Sequence, residues 1–363
     1  MKIGIDISQI AYRGTGVSRF TRGLVDAILK YDNNNEWVFF FSSLRKQLDY
    51  DLKLKIKNRG LQINDYPYPS KLLTLLWNKF HIFKIDSLIK NLDWFITSDW
   101  TEPPSNYKKA TIVHDLVYKR FPETLSSIIS KNQERKLSFV KKESKVIFAD
   151  SISTKKDLIS YLDIDEDKIT VNYPGVNIIK TDAVYDQKTL KNYKLNKKYI
   201  LSVGKIEPRK NIQMLIDSFI DLNLSQLDLV IVGEYGWGPN IKNYENIKYL
   251  GYVEDMELVS LYKSSLCFIY PSLWEGFGYP IIEAMAFKTP VATSNTSSME
   301  EISDNSALLF NPFNKSEIQD AIYKLVNDEN LRKNLIRKGI NTFQKFTWQN
   351  YYNKMVNKLE SIE

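Results

Sequence analysis

SLWEGFGYPIIE, residues Ser272–Glu283, decides how this chain is read. An apolar run from Leu266 to Tyr270 precedes it and is closed by Pro271, the pattern of a buried strand. A turn with Gly276 and Gly278 follows. Pro280 then opens a helical pattern through Ile281, Ile282, Met285 and Ala286; proline suits a helix start because its missing N–H would be unpaired there anyway. Strand, glycine turn and helix N-terminus make a corner whose backbone amides and positive dipole end suit an anion. Taken alone, it is an ordinary strand–helix connection of an α/β domain. Two carboxylates, Glu275 in the turn and Glu283 in the first turns of the helix, make it more specific.

Working outward, Tyr199–Gly204 (YILSVG) reads as a strand and Lys205–Asn211 (KIEPRKN) as its loop, a second anion site. Arg209 offers a forked guanidinium and Lys210 a point charge. On their own, two adjacent cations are more often solvated surface. Leu227–Gly233 is a further strand with its loop at Glu234 to Gly238, and Ile247–Gly251 leads into Tyr252 and Val253. Thr289–Ser294 and Leu308–Pro312 read as the last short strands.

The chain opens with Lys2–Ser8 (KIGIDIS), a strand of alternating Ile, then the loop Tyr12–Val17 (YRGTGV) and a helix through Phe20, Leu24, Ala27 and Ile28. This loop is not G-x-G-x-x-G and has no acidic residue after a second clear strand, which argues against a nicotinamide dinucleotide site. Lys109–Asp115 (KATIVHD) is a strand ending in His114-Asp115, where parallel sheets bind ligands. Asp115 also suits a cap of the next element. Ser151, Ser153 and Thr154 are candidate N-caps.

In order and spacing these motifs resemble those of retaining glycosyltransferases of the GT-B fold, the E-x7-E group called family 4 or glycosyl transferases group 1, with mannosyltransferase-like variants. The resemblance covers nearly the whole chain. It is strongest over residues 199–312 and weakest over 30–95. It implies an α/β fold of two Rossmann-like, doubly wound parallel-sheet domains facing across a cleft. One would be an acceptor-side domain over residues 1–178, with helix 346–363 packing back on it. The other would be a donor domain over 179–345. Residues 180–197, polar and Lys-rich, read as the linker.

The resemblance also implies roles. Glu275 contacts the sugar hydroxyls, and the backbone from Gly276 through Phe277, Gly278 and Tyr279 holds the sugar and distal phosphate. Glu283 accepts from the ribose diol. Arg209 and Lys210 clamp the diphosphate; Lys205 ranks lower, because the family often has Arg, Ser or Thr there. Tyr252 and Val253 meet the nucleobase. Gly14, Thr15 and Gly16 close over the diphosphate, with Arg19 where the loop enters its helix, and His114 faces the reacting sugar. The implied reaction moves a hexose, first mannose from GDP-mannose and next a UDP-sugar, to a glycan or lipid-linked hydroxyl in bacterial surface polysaccharide or lipopolysaccharide assembly. It needs no metal and no cofactor. A nucleotide-sugar epimerase or hydrolase, and a non-catalytic nucleotide-sugar binder, are the competing readings.

Composition agrees with an enzyme of two cores: 363 residues, 43% hydrophobic. No apolar run approaches the ~18 residues of a membrane span, and Met1-Lys2 leads straight into a strand, so the expected location is cytoplasmic. Cys267, the single cysteine, reads as a core residue. Of the 50 Lys+Arg and 43 Asp+Glu, residues 1–180 hold 29 and 21 (+8), and the rest hold 21 and 22 (−1). This basic half suits an anionic membrane surface as a peripheral partner. No nucleic-acid module is present. Residues 71–85 (KLLTLLWNKFHIFKI) read either as a helix packed in the first domain or as a membrane-surface segment, with His81 a packing residue. Asp163–Asp167 (DIDED) reads as a solvated turn.

Overall fold

The computed structural model describes residues 1–12, 14–98, 100–237 and 244–362. Arg13 and Gly238, in two loops named above, lie outside them. The chain forms two compact units, Met1–Gly175 with Trp348–Glu363, and Val176–Thr347.

The first unit is built on a seven-stranded sheet. Its strands are β1 (Lys2–Asp6), β2 (Glu36–Ser42), β3 (Gln62–Tyr66), β4 (Trp94–Thr97), β5 (Lys108–Val113), β6 (Ser144–Ala149) and β7 (Ile169–Val171). They lie in the order β3-β2-β1-β4-β5-β6-β7, all parallel. Both faces are covered, which is why β2 carries an almost unbroken apolar run, Trp37 to Phe41, fully buried. The order reverses between β1 and β4, and the crevice beyond such a switch point is where open parallel sheets bind ligands.

Thr15 starts the helix Gly16–Tyr31 by accepting from Ser18 N–H through its hydroxyl. Phe20, Leu24 and Ile28 face the sheet, in one cluster with Trp348, Tyr351, Met355 and Leu359 of the helix Trp348–Glu360. The chain's last helix therefore belongs to its first unit. The indole of Trp348 fits only because Gly23 lacks a side chain: a Cβ there would stand 2.2 Å from Trp348 Cε2.

The second unit has six parallel strands: β8 (Lys198–Val203), β9 (Leu227–Val232), β10 (Ile247–Gly251), β11 (Cys267–Tyr270), β12 (Val291–Ser294) and β13 (Ala307–Phe310). Their order is β10-β9-β8-β11-β12-β13, so the switch point falls between β8 and β11. Cys267 is fully buried in β11, and burial pushes its thiol up to about 12, as befits a core residue.

Two segments differ from expectation. Residues 180–197 are not a linker: Asp182 caps a helix, Ala183–Asn192, that packs on the helix Asp255–Ser264 within the second unit. Asp186 accepts from Ser260 and pairs with Lys263, and Tyr193 donates to Glu257, so the polar face that looks like a linker in sequence is spent on partners. Residues 71–85 divide. Trp77 is buried and His81 stacks on Phe139, while Leu72, Leu75, Phe80, Ile82 and Phe83 are exposed.

Candidate functional site

The loops that follow β8 and β11 meet at the switch point of the second sheet. Register places Phe268 beside Leu201, so the two strands deliver their loops side by side. Leu273 N–H donates to Arg209 carbonyl at 2.8 Å, pinning one loop to the other. Gly204 leaves β8, and Gly233 leaves β9 with φ of +143°. A Cβ on Gly233 would stand 2.2 Å from Gly204 carbonyl oxygen, so only glycine allows this close approach.

Arg209, Lys210 and Glu275 come together as one ionic cluster. Glu275 is 8% exposed, with Lys210 Nζ 2.5 Å from Oε1 and Arg209 Nη1 3.0 Å from Oε2. Tyr270 and Ser272 hydroxyls also donate to Oε1. Burial alone would favour the neutral acid, but the two cations and the donated hydrogen bonds outweigh it and hold the carboxyl at about 2. Glu275 is thus a fixed anion, unable to act as an acid near neutral pH. The Lys210 ammonium is pulled the other way: burial and Arg209 lower it, and Glu275 partly restores it. Tyr270 is pushed well up by burial and by Glu275, so it stays a donor. Arg209 has a second carboxylate, Glu207, at 2.7 Å, and donates to Trp274 carbonyl.

The corner after Glu275 is a helix start, as its sequence reads, with a shift of one place. Gly278 caps at φ of +100°, the helix is Tyr279–Ala286, and Pro280 sits second. Ser298 hydroxyl donates to the carbonyls of Glu275 and Phe277, and Ser297 hydroxyl accepts from Glu275 N–H, which fixes the path through Gly276. Glu283 is half-buried and accepts from Tyr262 hydroxyl at 3.2 Å, and its charge helps raise Tyr270. Lys205 is exposed, its chain lying over Gly236. Val253 is buried and Tyr252 exposed just beyond β10.

In the first unit, His114 follows β5 at the same level as Asp150 after β6, because Val113 pairs with Ala149. His114 Nδ1 lies 2.7 Å from Asp150 Oδ2 and Nε2 lies 3.1 Å from Ser98 Oγ. Phe20 and the imidazole meet in a T-shaped contact, centroids 4.6 Å apart. Asp115 turns away to accept from Val117 N–H. Gly14 takes φ of +81°, Thr15 is spent on the helix cap, and a Cβ on Gly16 would meet open space.

Residues 186–342 match the family model described as glycosyl transferases group 1. The matched stretch lies within the second unit. The chain is 29% identical over 233 residues to the O-antigen chain mannosyltransferase B of Escherichia coli, covering 57% of this chain and 61% of that protein. It is 29% identical over 263 residues to the O-antigen chain mannosyltransferase RfbU of Salmonella typhimurium, covering 70% and 71%. The match to the serotype-specific mannosyltransferase WbdA of Escherichia coli spans only 27% of that longer protein. Among solved structures, sucrose-phosphate synthase from Thermosynechococcus elongatus gives a TM-score of 0.75 at 16% identity, covering 100% of this chain and 99% of that one. HepE of Anabaena, in complex with UDP and glucose, gives 0.72 at 16% identity, covering 100% of both chains. Likeness at this identity shows the fold, GT-B.

The group 1 motifs point to Arg209, Lys210 and Glu275 but not to the groups that hold them. Tyr270 and Ser272 flank the strand end and read as strand and turn. Ser297 and Ser298 are the cap and first residue of the helix Ser298–Ser303, 22 and 23 residues after Glu275. Asp150 carries one legible signal: like His114, it is a polar residue directly after an apolar strand.

Proposed function

We propose that this protein is a retaining glycosyltransferase. It moves a hexose from a nucleoside diphosphate sugar to a hydroxyl of a glycan or lipid-linked acceptor, in bacterial surface polysaccharide or lipopolysaccharide assembly. The observation that carries this reading is the cluster at the switch point of the second sheet, where Arg209 and Lys210 stand over the buried anion Glu275 at the start of a helix. Mannose from GDP-mannose is the first donor, supported by the relatives named as mannosyltransferases. UDP-hexoses are second, supported by the HepE complex with UDP and glucose.

In this mechanism the acceptor oxygen attacks the anomeric carbon, the bond from that carbon to the diphosphate breaks, and the acceptor proton passes to the leaving phosphate oxygen. The developing charge is met by Arg209, Lys210 and the helix start, with no metal needed. Losing one such preorganised donor costs roughly 100- to 1,000-fold in rate. Glu275, held ionised, and His114, oriented by Asp150, position and stabilise an oxocarbenium-like sugar. Neither is assigned as a nucleophile. Glu283 takes the ribose diol, since a carboxylate accepts two hydrogen bonds at once.

Peripheral contact with an anionic membrane completes the reading. Leu72, Leu75, Phe80, Ile82 and Phe83 are exposed in one segment, with exposed Lys71, Lys79 and Lys84 among them. Among the described residues, no helix is long and apolar enough to cross a membrane.

Thermal shift with GDP, GDP-mannose, UDP and UDP-glucose tests the donor. A ligand at 100 times its Kd stabilises by ~2.7 kcal/mol. The expected result is a shift with one nucleotide series, lost in Glu283→Ala and Lys210→Ala. No shift with any of the four would overturn the reading. Donor consumed without acceptor would point to a hydrolase or epimerase.

A further inference from the structure

Tyr12 and Trp100 lie beyond the ends of β1 and β4, the adjacent parallel strands between which the first sheet reverses its order. Their rings stand 6.1 Å apart, inclined at 42°, and both are open to solvent, Tyr12 at 38% and Trp100 at 43%. Large aromatic rings dominate burial energetics wherever they pack. Two left exposed side by side at a ligand-binding edge need another explanation than core packing.

Both residues are anchored. Tyr12 N–H donates to Gln9 carbonyl at 3.0 Å, its own carbonyl accepts from Thr15 hydroxyl at 2.9 Å, and its phenol donates to Ser70 Oγ at 3.2 Å. Trp100 carbonyl accepts from Asn78 Nδ2 at 2.9 Å, and Asn78 is itself buried and accepts from Glu102 N–H. Lys46 Nζ lies 5.3 Å from the Tyr12 ring centroid. The result is a preorganised pair of apolar faces rimmed by a phenol, a serine hydroxyl and an ammonium.

We propose that Tyr12 and Trp100 form the platform on which a pyranose ring of the acceptor saccharide seats; this rests on the glycosyltransferase reading above. A pyranose has the matching chemistry. One face presents polarised C–H bonds to the electron-rich ring faces, and its edge presents hydroxyls to the polar rim. Two rings inclined at 42° make an open wedge, which fits a puckered ring better than the parallel slot a flat base needs. A hydrocarbon tail would leave the polar rim unused. Ser98, two residues before Trp100, faces His114 Nε2, so the loop that carries the platform also touches the imidazole.

Saturation-transfer NMR on the full chain, with methyl α-mannoside and α-1,2-, α-1,3- and α-1,6-linked mannobiosides as probes, tests this. The native protein is expected to transfer saturation to ring protons of at least one probe. Trp100→Ala and Tyr12→Ala are expected to weaken that binding about tenfold, and Trp100→Phe to retain it within about threefold. No transfer from the native protein to any probe overturns the platform, as does unchanged binding in both alanine variants. GDP and UDP thermal shifts are run on every variant. They report the second unit independently, so a failed nucleotide screen sinks the glycosyltransferase reading, while the saccharide titration judges the platform. A retained nucleotide shift in Trp100→Ala shows that its loss of saccharide is local.

Discussion

His114 Nδ1 lies 2.7 Å from Asp150 Oδ2, two side chains 36 residues apart that stand at the ends of neighbouring parallel strands. The carboxylate accepts the Nδ1 proton, which leaves Nε2 to face Ser98 and whatever reaches it. In the proposed reaction Asp150 is a positioning residue. Asp150→Asn is expected to lower kcat roughly 100-fold while leaving the nucleotide-sugar thermal shift unchanged, and Asp150→Glu to restore part of the rate. Steady-state donor turnover with acceptor reads this. A variant that loses only melting temperature, and not rate, would make the pair structural.

Glu275 supplies the pH prediction. Its folded carboxyl, at about 2, sits below the ordinary 4.5, so its stabilising contribution is fully present above pH 4.5 and is lost as pH falls toward 2. Melting curves of the native protein are expected to decline across that window. Glu275→Gln removes the anion from two buried cations and is expected to cost about 3–5 kcal/mol at neutral pH, with a flatter acid profile. A variant within 1 kcal/mol of native, by about the error of a chemical-denaturation measurement, would show that the cluster is not a stability element.

The exposed apolar segment makes a salt-dependent prediction. Native protein is expected to co-sediment with phosphatidylglycerol vesicles and not with phosphatidylcholine, and to release at high salt, since each lysine at an anionic surface contributes about 1 kcal/mol. Phe80→Asp with Ile82→Asp changes two exposed residues, so the fold is expected to hold while vesicle binding weakens about tenfold or more. Equal binding by native and variant would move the contact elsewhere.

Much of this architecture is legible in the chain because its signals are local. Alternating Ile in β1, the apolar run of β2, and the glycine and proline around Glu275 each constrain their own few residues. Residues 180–197 mislead for the converse reason. Their polarity is that of a linker, yet Asp186, Tyr193 and Thr181 find partners on the helix Asp255–Ser264 or the loop before their own helix, which no local pattern announces. Residues 71–85 carry both signals at once, and packing alone selects Trp77 for burial and Phe80 for solvent.

The sequence by itself determined two parallel-sheet units, a basic loop and a paired-carboxylate corner after two strands, and His114 at a third strand end. Backbone preference and hydrophobic period act within a few residues, so they can be read in order. Only the tertiary structure decided that Arg209 and Lys210 share the Glu275 carboxylate, that Asp150 holds His114, and that Tyr12 meets Trp100. Strand order decided those encounters, and strand order is fixed by burial of whole sheet faces, a property of the assembled core and of no single stretch of chain.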